Sequence, residues 1–320
     1  GWSLYYVARE KEAAEYLADA ALALGDANLA LKTAEFGSKH LDSGKLIELY
    51  ALARNLNKNY ELNKKLGDLF YDSGNWLDAA RQYIIYLSQR PKSKEILERL
   101  VLIYSKLSNN IETRRYLEEL VKIDPANAAN FKSLAELCRQ SNDYKSARQY
   151  YEKYLGLGAG DSETILVLSC MFYETVDYRK ATEYYSHLEL KYLTESDKFN
   201  AGVAHLRLAE NQQTDKADAN YISAFRYLAA VSDNRKTKDY IAAIYKKIAE
   251  LYYNHGDYNQ AGEIIKKYSQ TDNSPAAAEY YHKIATELFK KREYAQTINA
   301  CRYYLQTNKT NAEIYGLIGR

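Results

Sequence analysis

The sequence of 320 residues predicts an all-α solenoid, in which one helix-turn-helix unit is stacked many times. Three observations support this fold class. Similar segments recur at a fixed step of 34 residues, apolar residues inside each segment follow helical spacing, and the three prolines of the chain fall near unit ends. The repeating step is marked by a leucine in four successive units: Leu66, Leu100, Leu134 and Leu168.

Each unit is predicted to contain two helices joined by a tight turn. In the unit 60–93, apolar residues of the first half recur at the i, i+3, i+4, i+7 spacing of one helix face, and the second half repeats this pattern. Gly67 and Ala79 stand at the eighth and twentieth positions, where a small residue lets the paired helices approach closely. Gly74 and Asn75 are typical of the turn between them.

The unit resembles the tetratricopeptide repeat, whose pattern is W-x2-L-G-x2-Y, then A-x3-F, then P, over 34 residues. The residues of unit 60–93 that match it are Leu66, Gly67, Phe70, Ala79, Tyr83 and Pro91. Asn63 departs from the pattern at the fourth position. The resemblance covers nearly the whole chain and implies a right-handed superhelical α-solenoid.

Extending the register in both directions predicts a single array over residues 1–320. The predicted repeats are 11–44, 60–93, 94–127, 128–161, 162–195, 196–238, 242–275 and 278–311, with 312–320 as the start of a further repeat. Two segments break the step. Residues 45–57 are predicted to form an extra helix, with Ser43 as its cap. The polar segment 211–220 is predicted to be an enlarged loop, which is either a partner-contacting finger or a tolerated insertion.

Composition and motifs argue against catalysis, metal binding and nucleic-acid binding by this chain. A net charge of +2 does not favour nucleic-acid binding, and no apolar run approaches the roughly 20 residues that cross a bilayer. The five histidines lack the spacing of metal ligands, and Cys170 has no nearby histidine to activate it. The glycine-rich segment 156–160 lacks the lysine of a phosphate-binding loop. We therefore predict no catalytic residues, no metal and no cofactor.

The ends of the sequence suggest a piece of a longer protein. The chain starts at Gly1 without an initiator methionine or a signal-peptide layout, and it stops inside the ninth unit. The composition predicts a soluble fragment. The cellular compartment stays open, with intracellular and periplasmic locations both compatible with the sequence.

A groove is the predicted functional surface. In tetratricopeptide arrays, residues 5, 9 and 12 of each first helix line a concave surface that binds peptides. The resemblance therefore implies partner binding at Lys64, Asp68, Tyr71, Leu102, Lys132, Arg139, Tyr173, Lys246, Tyr253, His282 and Phe289. The lining mixes charges with aromatic or aliphatic residues, which suits a partner with apolar anchors. An ordinary solvated face remains the alternative for any single residue.

One specialisation of the family is not expected. Members that clamp a C-terminal carboxylate use a lysine at position 5 and an asparagine at position 9. Here Lys64 is followed by Asp68, and Lys246 is followed by Glu250. Because an acid at position 9 would repel a carboxylate, we predict no such clamp.

The sequence favours a non-catalytic scaffold that binds other proteins or peptides within a larger assembly. One alternative is the substrate-recruiting arm of an enzyme, such as a protein glycosyltransferase, whose catalytic domain lies outside this sequence. A weaker alternative is self-association through an apolar end face that includes Tyr315 and Ile318. The sequence leaves the identity of the partners and the oligomeric state open.

Overall fold

The computed structural model describes residues 2–54, 60–211, 216–232, 234–271 and 276–319. Over these residues the chain is helical, without a strand, so the predicted all-α class is confirmed. The helices are α1 (Trp2–Leu24), α2 (Ala27–Gly37), α3 (Ser43–Arg54), α4 (Tyr60–Asp72), α5 (Trp76–Leu87), α6 (Lys94–Lys106), α7 (Asn110–Ile123), α8 (Ala128–Gln140), α9 (Tyr144–Gly156), α10 (Ser162–Glu174), α11 (Tyr178–Ser186), α12 (Glu195–Glu210), α13 (Lys216–Leu228), α14 (Asn234–Asn254), α15 (Tyr258–Thr271), α16 (Ala276–Lys290), α17 (Tyr294–Thr307) and α18 (Ala312–Gly319), with a short 3₁₀ helix at Leu190–Tyr192.

The helices group into two compact units, Gly1–Ala159 and Gly160–Arg320. In the first unit, α4 packs on α5, α6 on α7, and α8 on α9. In the second unit the pairs are α10 with α11, α12 with α13, α14 with α15, and α16 with α17. Each unit is therefore a series of helical hairpins in chain order. None of the helices described is both long enough and apolar enough to cross a lipid bilayer.

Small residues hold the two helices of a hairpin together. A Cβ added to Gly67 would lie 2.5 Å from Cε1 of Tyr83, so only glycine fits there without a shift. Six residues at the twentieth position are buried: Ala79, Thr113, Ala147, Ala181, Ala261 and Thr297. The hydroxyl of Thr297 donates to the carbonyl of Glu293 at 2.9 Å, so burial at this position leaves it with a hydrogen-bond partner.

Six of the described hairpin turns share one backbone conformation. The fifteenth residue of the repeat takes a left-handed φ between 54° and 77° at Gly74, Ser108, Asn142, Val176, Gly256 and Arg292. The residue after it, in most hairpins an asparagine or aspartate, accepts a hydrogen bond from the backbone of the following helix. These caps are Asn75, Asn109, Asp143, Asp177 and Asp257.

The predicted loop at 211–220 is wrong over its second half, because α13 begins at Lys216. Ala217 and Tyr221 extend the buried stripe that Ala224 and Leu228 continue, and this apolar face makes the extra turn helical. Residues 212–215 lie outside the described residues. The next helix, α14, also starts before the predicted repeat boundary at 242.

The helix predicted at 45–57 corresponds to α3, which begins at Ser43. Ser43 is therefore a helical residue and not the cap. The Asp42 carboxylate takes that role, because it accepts a hydrogen bond from the backbone N–H of Lys45 at 2.9 Å. Residues 55–57 of the predicted helix lie outside the described part of the chain.

Candidate partner-binding surface

On α4, the predicted groove residues Lys64 and Asp68 contact the next hairpin. Lys64 Nζ lies 2.7 Å from Oε2 of Glu95 on α6. The hydroxyl of Tyr83 donates to Asp68 Oδ1 at 2.7 Å, and Arg99 Nη1 lies 3.6 Å from the same oxygen. Both charges are thus partly neutralised within the protein. A partner would have to displace these contacts to use either group directly.

The other predicted residues of the first unit differ in how accessible they are. Leu102 on α6 is 51% exposed, and Arg139 on α8 is also exposed. Lys132, on the same helix as Arg139, is half-buried, with Nζ lying 5.6 Å from the ring centroid of Tyr154. Leu102 is therefore the most open apolar group of the predicted surface in this unit.

In the second unit, the predicted residues Tyr173, Lys246, Tyr253, His282 and Phe289 are all half-buried. His282 Nε2 lies 3.2 Å from Glu313 Oε2, so this histidine connects α16 with α18. Glu250, four residues after Lys246, also has partners within the protein. It accepts a hydrogen bond from the Tyr280 hydroxyl and pairs with Lys247 at 3.0 Å.

The aromatic residues of the predicted groove each pack against a second ring across the hairpin turn. We call these contacts the aromatic pairs. They join the twelfth and seventeenth residues of a repeat, with ring centroids 5.1 to 6.0 Å apart: Tyr71–Trp76, Tyr173–Tyr178, Tyr253–Tyr258 and Phe289–Tyr294. The contact orients both rings at the point where the first helix ends and the second begins.

The second members of these pairs were not among the predicted groove residues, because they lie on the second helix of each hairpin. A signal was present in the sequence, because the seventeenth position is aromatic in five repeats. These residues are Trp76, Tyr144, Tyr178, Tyr258 and Tyr294. Only the folded hairpin shows that four of them meet the ring at the twelfth position.

Cations from the following hairpin cover part of several pairs. The Arg99 guanidinium lies 5.0 Å from the Tyr71 ring centroid, and Lys106 Nζ lies 5.0 Å from that of Trp76. In the second unit, Lys291 Nζ lies 4.5 Å from the Tyr258 ring. These cation–π contacts help to fix each pair relative to its neighbour, while the rings stay partly open to solvent.

The structure offers no activated nucleophile at Cys170. Its Sγ lies 3.4 Å from the Tyr185 hydroxyl and 3.7 Å from Asp197 Oδ1. Burial, together with the negative charge of Asp197, raises the pKa of the Cys170 thiol, so it stays protonated at neutral pH. Within the described residues, no group of His, Cys, Asp or Glu is arranged to hold a metal ion.

No protein-family model and no curated protein matches this chain. Solved structures do match it. A tetratricopeptide repeat protein from Parabacteroides merdae ATCC 43184 is 15% identical with a TM-score of 0.36, over 92% of this chain and 97% of that protein. A MamA protein is 16% identical with a TM-score of 0.37, over 56% of this chain and 93% of its own.

A further match is YrrB, described as a tetratricopeptide repeat protein with an unusual peptide-binding site. It is 16% identical, with a TM-score of 0.36, over 57% of this chain and 93% of its own. The chain is similar to these proteins at low identity. Its own hairpins, small-residue positions and left-handed turns agree with the helix-turn-helix repeat that the sequence predicts.

Proposed function

We propose that the chain is a non-catalytic interaction scaffold that binds partner peptides or proteins within a larger assembly. The observation that supports this most directly is the recurrence of the aromatic pairs. Rings that are held by packing yet partly exposed supply contact area at a low entropic cost, and such side chains dominate the affinity of many protein interfaces. A stable fold alone would not require them at the turns of four hairpins.

The proposed surface is the first-helix face of the hairpins together with the aromatic pairs. In the second unit it consists of Tyr173, Lys246, Tyr253, His282 and Phe289, and in the first unit of Lys64, Asp68, Tyr71, Leu102, Lys132 and Arg139. Because Lys64 and Asp68 are already paired inside the protein, we assign affinity to the rings and Leu102. The charged groups are expected to influence selectivity and the rate of association.

The test is affinity capture of the intact protein from its native cell, followed by mass spectrometry and by dissociation constants for each partner found. Tyr253→Ala and Phe289→Ala should each weaken binding at least about tenfold, because each removes one anchor. Tyr192→Ala is the matched control, since Tyr192 is 66% exposed in the second unit and belongs to no aromatic pair.

Thermal unfolding of each variant checks that the hairpin stays folded. Partners that bind the two alanine variants and the wild type equally well would refute the proposed surface. Loss of binding in the Tyr192→Ala control would show that the effect is not specific to the aromatic pairs.

A further inference from the structure

A cleft of about 140 Å³ opens in the second unit, between α15 and α17, the second helices of two adjacent hairpins. We call it the α15–α17 cleft. Gly262 lines it from α15, Ile284 and Leu288 from α16, and Gln296, Asn299 and Ala300 from α17. The lining shares only Tyr258 with the surface proposed above, which lies on the first helices and the aromatic pairs.

The cleft is open because α15 carries a glycine at its wall. A Cβ added to Gly262 would meet no atom within 4 Å, so packing does not require glycine there. Its backbone is helical, and a glycine inside a helix costs about 1 kcal/mol relative to alanine. Neither packing nor backbone conformation therefore requires a glycine at position 262. The missing side chain leaves space in the wall of the cleft.

The same repeat position is filled in the first unit. Ala80 occupies it on α5 and is 2% exposed, so its methyl group packs against its surroundings. Arg114 occupies it on α7 and extends to Asp143, with Nη1 lying 3.0 Å from Oδ2. Only Gly262 brings no side chain to this position among these three hairpins.

The floor of the cleft is apolar and its rim is polar. Ile284, Leu288 and Ala300 are buried, whereas the amide side chains of Gln296 and Asn299 are exposed at the rim. The hydroxyl of Tyr281 is buried, and within the described residues it has no hydrogen-bond partner at normal geometry. Ser269 lies near this hydroxyl. A ligand that hydrogen-bonds to such an unpaired buried hydroxyl removes the free-energy cost of leaving it unpaired.

The size and lining of the cleft select its occupant. An apolar cavity of about 150 Å³ accepts a benzene ring, so this cleft has room for one aromatic side chain. The exposed amides of Gln296 and Asn299 can donate to and accept from a peptide backbone, whereas the Asn259 amide already donates to Glu293 Oε2 at 3.1 Å. A sugar ring would fit less well, because some of its hydroxyls would face Ile284 and Leu288 without hydrogen-bond partners.

Charges of both signs border the cleft, and its apolar floor favours an uncharged anchor. Lys266 Nζ lies 5.1 Å from the Tyr303 ring centroid, and Lys291 Nζ lies 4.5 Å from that of Tyr258. The exposed carboxylate of Glu263, which lines the cleft and interacts with Lys266, offsets this positive charge. A cationic anchor would still have to lose its hydration against the apolar floor. An acidic anchor would have to lose its hydration against the apolar floor.

We propose that the α15–α17 cleft is a second docking site, which binds a peptide segment of a partner protein through one uncharged aromatic side chain. The ring lies on Ile284, Leu288 and Ala300, and the rim amides hydrogen-bond to the peptide backbone on either side. The cleft therefore recognises a single anchor residue and its immediate neighbours.

The test uses acetylated and amidated tripeptides as probes for the whole chain labelled with ¹⁵N. Ala-Phe-Ala, titrated up to about 10 mM, should shift the amide signals of Gly262 and Ala300, whereas Ala-Ser-Ala should not. Gly262→Leu fills the open space and should weaken binding of Ala-Phe-Ala at least about tenfold.

Gly316→Leu is the matched control, because Gly316 is also a helical glycine with no atom within 4 Å of an added Cβ. It should leave the affinity for Ala-Phe-Ala within about twofold. The proposal is overturned if Ala-Phe-Ala causes no shift at the highest concentration, if Ala-Ser-Ala binds equally well, or if Gly262→Leu binds like the wild type. Thermal unfolding of both leucine variants separates a filled cleft from an unfolded one.

Discussion

The hairpins 60–93 and 162–195 fill the same positions with different chemistry. Each contains a tyrosine with no exposed surface, Tyr83 in the first hairpin and Tyr185 in the second. The hydroxyl of each tyrosine contacts the residue fifteen positions earlier. In the first hairpin that residue is Asp68, at 2.7 Å, and in the second it is Cys170, at 3.4 Å.

The charges around these tyrosines come from different places. In the first hairpin the acid is Asp68 on the first helix, and the cation is Arg99 on the next hairpin. In the second hairpin the first helix contributes the neutral Cys170, and the acid is Asp197 on α12. The ring fills space in the same way in both cases. Helix packing therefore determines the position of the tyrosine, while the polar partner of its hydroxyl can be replaced.

The largest expected effect is at the small-residue position. Gly67→Leu should lower the free energy of unfolding by about 3 kcal/mol, because the new side chain meets the Tyr83 ring. Urea unfolding followed by circular dichroism measures this. Gly156→Leu is the control, since an added Cβ there meets no atom within 4 Å and the variant should be close to neutral. Equal stability of Gly67→Leu and wild type would contradict the close approach of α4 and α5.

A smaller effect is expected from the partners of the two tyrosines. Asp68→Ala should cost about 1 to 3 kcal/mol, because it leaves the buried Tyr83 hydroxyl without its acceptor. Cys170→Ala should cost less, because a thiol is a weak hydrogen-bonding group. A double-mutant cycle with Tyr83→Phe isolates the Asp68 contact. A coupling energy near zero would mean that the hydrogen bond does not contribute to stability.

The smallest effect is expected at the turns. Gly74 and Val176 share a left-handed φ, 76° and 64°, but valine strains this conformation. Val176→Gly should therefore raise the free energy of unfolding by about 1 kcal/mol, and Gly74→Val should lower it by at least as much. Val176 is 65% exposed, so little packing is lost with its side chain. A destabilised Val176→Gly variant in thermal unfolding would show that the valine makes a contact that outweighs the strain.

Local patterns in the sequence were enough to predict the helices and hairpins. The step of 34 residues placed Leu66, Leu100, Leu134 and Leu168 on equivalent helix faces, and all four are buried. Gly67 was expected to allow close packing, and the Tyr83 ring lies where a larger side chain would clash. Periodicity is a local property of the chain, so it can be read without knowing what each helix contacts.

Contacts between helices decided the rest. Thr297 stands where most repeats have alanine, yet it is buried as the alanines are, and its hydroxyl bonds to its own helix. Lys64 and Asp68 were predicted as groove residues, and the structure shows both engaged with neighbouring side chains. Residue types alone do not show which partner a charge meets, because that partner is about 15 to 31 residues away in the chain.

The sequence by itself therefore determined the helical repeat, its turns and the small residues between paired helices, because these depend on spacing within one unit. Only the tertiary structure decided which rings form the aromatic pairs, which charges are already paired and where Gly262 leaves a cleft open. Those features depend on distances between helices, and the packing of one hairpin against the next sets these distances.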